Sequence, residues 1–316
     1  MTIEAIVSAC FIKARPFQNY ASLKRLGLSM SILALISQVI LAQQPAVERV
    51  DPDWLKTILP KRIVYSVPGM ERINARKDVV WKRVDGVDLK LDLYQTPDKP
   101  GAQPMPAVVF IHGGPLPANL RTEPKDWGVY ISYGQLAAAS GFVGVTFNHR
   151  YYGFNRLKDA QSDVNDLVAY LRANASALNI DPERIILWAF SGGGLMLSGA
   201  LREAPPYIRC VIAYYTLLDT PSSSASGEDS LKEYSPLNQL KLKGSAVPPL
   251  LIARAGLDNP ALNSALDRFA QEAISRNTTV ELINHAAGRH SFDTLNDDDR
   301  TREIIRRTIE FIKARN

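Results

Sequence analysis

From residue 78 onward the apolar positions fall into short runs separated by turn residues and by stretches with helical spacing. Residues 79–84 and 87–94 flank Asp85-Gly86, and the second run alternates apolar with polar side chains, which predicts a tightly turned β-hairpin. Residues 107–111 form a wholly apolar run, 133–140 a helix ended by Gly141, and 142–147 a second apolar run. Over 159–178 the spacing puts Val164, Leu167, Val168 and Leu171 on one helical face, before Asp181-Pro182 leads into an apolar strand over 184–189. Strands over 210–215, 249–253 and 279–283 follow, with helices over 263–275 and 299–314. Apolar strands alternating with helices predict an α/β domain over 77–316: a mostly parallel sheet covered on both faces, entered through an antiparallel hairpin. No internal repeat with a period of about 20 to 50 residues is present.

Two stretches escape this pattern. Residues 43–76 carry Pro52, Trp54, Pro60 and Pro68-Gly69 without periodicity and read as an irregular extension packed on the domain. Residues 219–248 are rich in Ser, Gly and Pro, with a low-complexity start over 220–227. Because they follow a strand of a parallel sheet, they are expected at its carboxyl edge as a small cap or substrate-facing loop.

One turn carries chemistry. Ser191 stands between the strand 184–189 and a helix expected from Leu195, followed by Gly192-Gly193-Gly194. A serine on such a sharp turn needs small residues two before and two after it, here Ala189 and Gly193, and the arrangement is a nucleophile elbow. A serine hydroxyl becomes a nucleophile only when a base takes its proton, and the base needs a third group to fix its tautomer. Of the four histidines, His285 and His290 follow the last strand. His290, in Gly288-Arg289-His290-Ser291-Phe292, has the longer loop with which to reach over the sheet. Asp258 directly follows the strand 250–253 and is the preferred acid, with Asp219 as competitor; Asn259 could cap the next helix in its place. His112-Gly113-Gly114-Pro115 supplies backbone N–H groups for a developing oxyanion, and since Pro115 has none, Gly114 is expected to pair with Gly192 as donor. His149-Arg150-Tyr151-Tyr152 reads as a structural turn rather than a pocket wall, and Arg289 as a solvated side chain rather than an anion contact.

With these three motifs in order, the chain resembles α/β-hydrolase-fold serine esterases, in particular the dienelactone-hydrolase and prolyl-oligopeptidase-like branch, over about residues 78–316. The resemblance implies Ser191 as nucleophile, His290 as base, Asp258 as acid and Gly114 with Gly192 as oxyanion donors. It departs in having Ala189 where glycine is usual and in lacking a third glycine after His112, and there is no room for the propeller that gates oligopeptidases.

Composition narrows the alternatives. An apolar fraction of 46% with 22% charged residues fits a globular domain with a substantial core. Of the net charge of +5, +3 lies in the first 42 residues, where Lys13, Arg15, Lys24 and Arg25 outnumber Glu4, so little remains for a nucleic-acid surface. Residues 28–42 are an apolar stretch behind Lys24-Arg25, shorter than the ~20 residues that span a bilayer, and 1–42 therefore read as a cleaved signal peptide of a secreted, extracellular or periplasmic protein. No stable membrane insertion is expected after cleavage. Cleavage would leave Cys210 as the single cysteine, without a disulfide partner. The sequence thus points to hydrolysis of a small-molecule ester without cofactor or metal; an amidase or peptidase, and a silent binding protein, are the rival readings. Oligomeric state is not legible in it.

Overall fold

The computed structural model describes residues 57–96, 103–117, 120, 122–220 and 231–316. The expected signal peptide over 1–42, the first part of the extension and most of the serine-rich stretch lie outside the described residues. Those described belong to one compact unit, Asp53–Asn316.

The hairpin is built as its turn residues dictate. β1 (Ala75–Val84) and β2 (Val87–Tyr94) pair antiparallel, and both turn residues, Asp85 (φ 53) and Gly86 (φ 74), take the left-handed conformation that matches the twist of the strands. The other strands are β3 (Met105–Ile111), β4 (Val143–Phe147), β5 (Ile180–Phe190), β6 (Ile208–Tyr214), β7 (Leu250–Ala255) and β8 (Val280–His285). They form one eight-stranded sheet in the order β1-β2-β4-β3-β5-β6-β7-β8. Among the described residues only the β1–β2 and β2–β4 pairings are antiparallel.

Strand side chains alternate between two cores. Val109, Ile111, Leu187 and Ala189 belong to one, while Phe110, Ile186, Trp188 and Phe190 belong to the other. That is why these strands read as unbroken apolar runs. The first core is covered by α2 (Leu157–Ala173), α3 (Ser198–Glu203), α4 (Pro236–Lys243) and α5 (Pro260–Ser275); the second by α1 (Gly128–Ala139) and α7 (Asp299–Lys313), with the short α6 (Phe292–Leu295) between β8 and α7. A buried lysine ties the hairpin to the segment leading into α1: Lys125 Nζ lies 2.8 Å from Asp78, 3.0 Å from Asp126 and 3.3 Å from the buried Asp92.

Three expectations change. α1 begins at Gly128 rather than near 133, because Gly128 is pressed against the chain at Pro60, where a Cβ would meet that carbonyl oxygen at 2.4 Å, and its N–H bonds Leu59 O. The turn after Ser191 opens as a 3-10 segment, Ser191–Leu197, and becomes α-helical only at Ser198. The described end of the supposed cap, 231–248, contains α4, whose Leu237 and Leu240 are buried in the first core; it is part of the helical layer.

Candidate active site

The parallel strands end in register. Ile111 of β3 is level with Ala189 of β5, and Phe190 with Tyr214 of β6, so the loops that follow converge along one edge. At the end of β5 the chain reverses sharply: Ser191 has φ 51, a strained value for a residue with a side chain. The glycine two positions on permits the turn, since a Cβ on Gly193 would meet His112 O at 2.4 Å and Ile111 O at 2.8 Å. Ala189 is fully buried on the other side.

Of the two histidines at the end of β8 and beyond it, the structure brings His290 to the serine. Its Nε2 is 3.0 Å from Ser191 Oγ and its Nδ1 2.7 Å from Asp258 Oδ2. The Asp258 side chain is only 4% exposed, and its other oxygen accepts the Asn259 N–H at 2.7 Å. Asn259 supplies the N-cap of α5 by accepting from Ala261 N–H, which leaves Asp258 to the imidazole. His285 is engaged elsewhere: its Nε2 lies 3.1 Å from Thr301 Oγ1 and 3.2 Å from Asp298, at the start of α7. Asp219 is likewise committed, accepting from Ser235 Oγ and pairing with Arg268 at 3.1 Å.

The glycine loop lies directly against the nucleophile. A Cβ on Gly113 would meet Ser191 Cβ at 2.8 Å, and one on Gly192 would meet Gly114 O at 2.1 Å. Gly113 N–H donates to Tyr130 Oη at 3.2 Å, so it is taken. His112 Nδ1 is 2.7 Å from Gly113 O, and holding that carbonyl aims the N–H of the same planar peptide, that of Gly114, in the opposite direction. His112 in turn stacks on His149 with ring centroids 3.5 Å apart and planes within 3°. Burial lowers the His112 pKa to about 4 and that of His149 well below its ordinary value, so the stacked pair is neutral.

The segment after β4 is structural for the most part. Arg150 reaches the buried Asp163 through two guanidinium hydrogen bonds of 2.9 Å and Asp85 at 2.9 Å. Tyr151 is buried beside Gly114 and Gly192, whereas Tyr152 is half exposed. Arg289 donates to the Leu295 carbonyl and the Asn296 side chain. Tyr130, Tyr215 and Asp293 are site neighbours that sequence reasoning missed; His149 was visible just after a strand end, in the stretch read as a structural turn, but its stacking on His112 was not. Among the described residues no cluster of potential metal ligands occurs and no helix is long and apolar enough to cross a membrane.

A hydroxyl, an imidazole and a carboxylate in line, beside a glycine-lined backbone, can pass a proton and receive a developing oxyanion. The fold that presents them is the α/β-hydrolase fold. A family model described as BD-FAE matches residues 91–204, a span that carries the His112 loop and Ser191 but ends before Asp258 and His290. The quorum-quenching protein AidA of Acinetobacter baumannii is 25% identical over 229 residues, covering 67% of this chain and 69% of its own. The thermophilic esterase Est2 of Thermogutta terrifontis superposes with a TM-score of 0.62 at 21% identity, over 78% of this chain and 94% of its own. Its propionate-bound form gives 0.61 at 21%, with the same two shares covered.

Proposed function

We propose that this protein hydrolyses carboxylic esters through an acyl-enzyme. The observation that carries the proposal is the continuous relay Ser191 Oγ, His290 Nε2 at 3.0 Å, and His290 Nδ1 to Asp258 at 2.7 Å. Ser191 Oγ attacks the acyl carbon as its proton passes to His290 Nε2. Asp258 accepts the Nδ1–H hydrogen bond and stabilises the imidazolium. The N–H groups of Gly114 and Gly192 meet the oxyanion, and its collapse expels the alcohol, which takes the proton from Nε2. Water then gives a proton to Nε2 and attacks the acyl carbon; Ser191 leaves with that proton and the acid is released.

The esterase neighbour that carries propionate supports a short-chain acyl group as substrate. Hydrolysis of p-nitrophenyl esters from acetyl to palmitoyl tests this, with the maximum expected at short or medium chains; a palmitoyl preference would overturn it. Ser191→Ala is expected to cut turnover by on the order of 10,000-fold and to abolish fluorophosphonate labelling while the melting temperature holds. Labelling that survives in this variant refutes the assignment. Export through residues 1–42 belongs to the same proposal on the sequence grounds above; sequencing the N-terminus of the exported protein tests it, and an intact Leu28 would sink it.

A further inference from the structure

Behind His290 stands a carboxylate that this mechanism does not use. Asp293, three residues beyond His290 in α6, is fully buried and forms no ion pair among the described residues. Two phenols meet it instead. Tyr133 Oη, from α1, donates to Oδ2 at 2.7 Å, and Tyr215 Oη donates to Oδ1 and Oδ2 at 2.9 Å each. The Tyr215 ring bridges this carboxylate and the active site, since its centroid is 4.9 Å from that of His290 and 5.4 Å from that of Phe292.

The backbone on both sides of the imidazole is held under strain. Tyr215 has φ 40 and Ser291, next to His290, has φ 61. Residues with side chains stay in such conformations only where the surroundings fix them. Asp293 grips Tyr215 by its phenol, while the Ser291 carbonyl accepts the N–H groups of Thr294 and Leu295 in the short helix that also carries Asp293. Its backbone carbonyl is pinned as well, by the N–H of Val64 at 2.9 Å.

We propose that Asp293, acting through Tyr215, is a positioning residue for His290 whose negative charge also favours the protonated imidazole formed whenever Ser191 gives up its proton. This rests on the serine-hydrolase reading above. Burial pushes the Asp293 carboxyl up to about 6, against the pull of its two phenol donors and of His290, so it is ionised at neutral pH. The other titratable groups that feel it are Tyr130 on α1 and Tyr214 on β6; with Tyr133 and Tyr215 they are kept protonated by burial. Among the described residues, His290 is therefore the neighbour on which the charge can act by turns.

The test is the pH profile of kcat and kcat/KM for a p-nitrophenyl ester from pH 4.5 to 8.5, using the full chain as wild type, Asp293→Asn and Tyr133→Phe, each first labelled with a fluorophosphonate. Removing the charge makes the imidazolium less favourable in the resting enzyme and in the transition state alike. Asp293→Asn should therefore lower the plateau of kcat by about tenfold, leave KM nearly constant, and move the acid limb of kcat/KM down by about half a pH unit. Tyr133→Phe does not touch His290 but removes one donor that keeps the carboxylate ionised, so its limb should move the same way by less. Variants that melt and label as wild type with an unmoved limb overturn the proposal, as does a rate loss without a shift. If Asp293→Asn fails to fold, the Tyr133→Phe limb decides by the same criterion. A wild-type protein that does not label at Ser191 overturns the hydrolase reading itself, before any variant is compared.

Discussion

The left-handed conformation of Ser191 costs of order 1–3 kcal/mol, and it is tolerated because Gly193 lets the chain turn directly against the His112 carbonyl. A methyl group at 193 has no flexible side chain to displace, only backbone oxygen atoms at 2.4 and 2.8 Å. Gly193→Ala should therefore push the serine out of line with His290 and lower kcat/KM by about 100-fold, with a measurable fall in melting temperature. A variant as active as wild type would show that the turn is not held by that contact. The need for small residues at 189 and 193 was legible because it follows from the turn alone. The choice between His285 and His290 was legible only by loop length; what excludes His285 is the pair of Asp298, the N-cap of α7, and Thr301 in its first turn, which no local pattern reveals. His285→Ala should lower the melting temperature while fluorophosphonate labelling persists, whereas His290→Ala should abolish turnover.

At the scale of elements, the glycine loop after β3 is held by its neighbours rather than by its own sequence. Tyr130 accepts the Gly113 N–H, and His112 holds the Gly113 carbonyl. A helix expected to start at 133 leaves Tyr130 out of this account. The true start of α1 depends on Gly128 meeting the chain at Pro60, a contact between segments whose local patterns give no hint of each other. α4 escaped notice for a related reason: eight residues beginning with proline, in a polar stretch, show too little periodicity to stand out, and Leu237 and Leu240 gain their meaning only against the first core. Tyr130→Phe keeps the ring but strips Gly113 N–H of its acceptor. The loss of one such buried hydrogen bond, about 1–3 kcal/mol, should appear partly as lower stability and partly as a roughly tenfold lower kcat with KM little changed. Steady-state kinetics paired with thermal melts separates the two, and an unchanged kcat would release Tyr130 from any part in positioning the loop.

For the molecule as a whole, the mostly parallel sheet and the helical layers on both its faces were readable because strands buried on both faces are apolar throughout, which a sequence displays directly; the strand order was not. The polar groups inside those layers were not, since they join distant stretches: Tyr133 with Tyr215 and Asp293, or His112 with His149. These buried groups set the pH dependence of stability. His112 falls from 6.5 to about 4 on folding and His149 falls well below 6.5, so each contributes stability that is present above pH 6.5 and lost as pH drops toward the folded value. For His112 this amounts to about 3 kcal/mol. Asp293 has the opposite sign: raised from 3.8 to about 6, it favours the folded state as pH falls through 6 and offsets a term of about that size. The second histidine tips the balance. Surface carboxylates such as Asp78 and Asp298, whose values are lowered from 3.8, act only below this window. The melting temperature should therefore drop between pH 6.5 and 4. His149→Phe, which keeps a flat ring against His112 but cannot take a proton, should flatten that decline, and Asp293→Asn should steepen it. Scanning calorimetry across the window tests both, and parallel curves for all three proteins would place the acid sensitivity elsewhere in the fold.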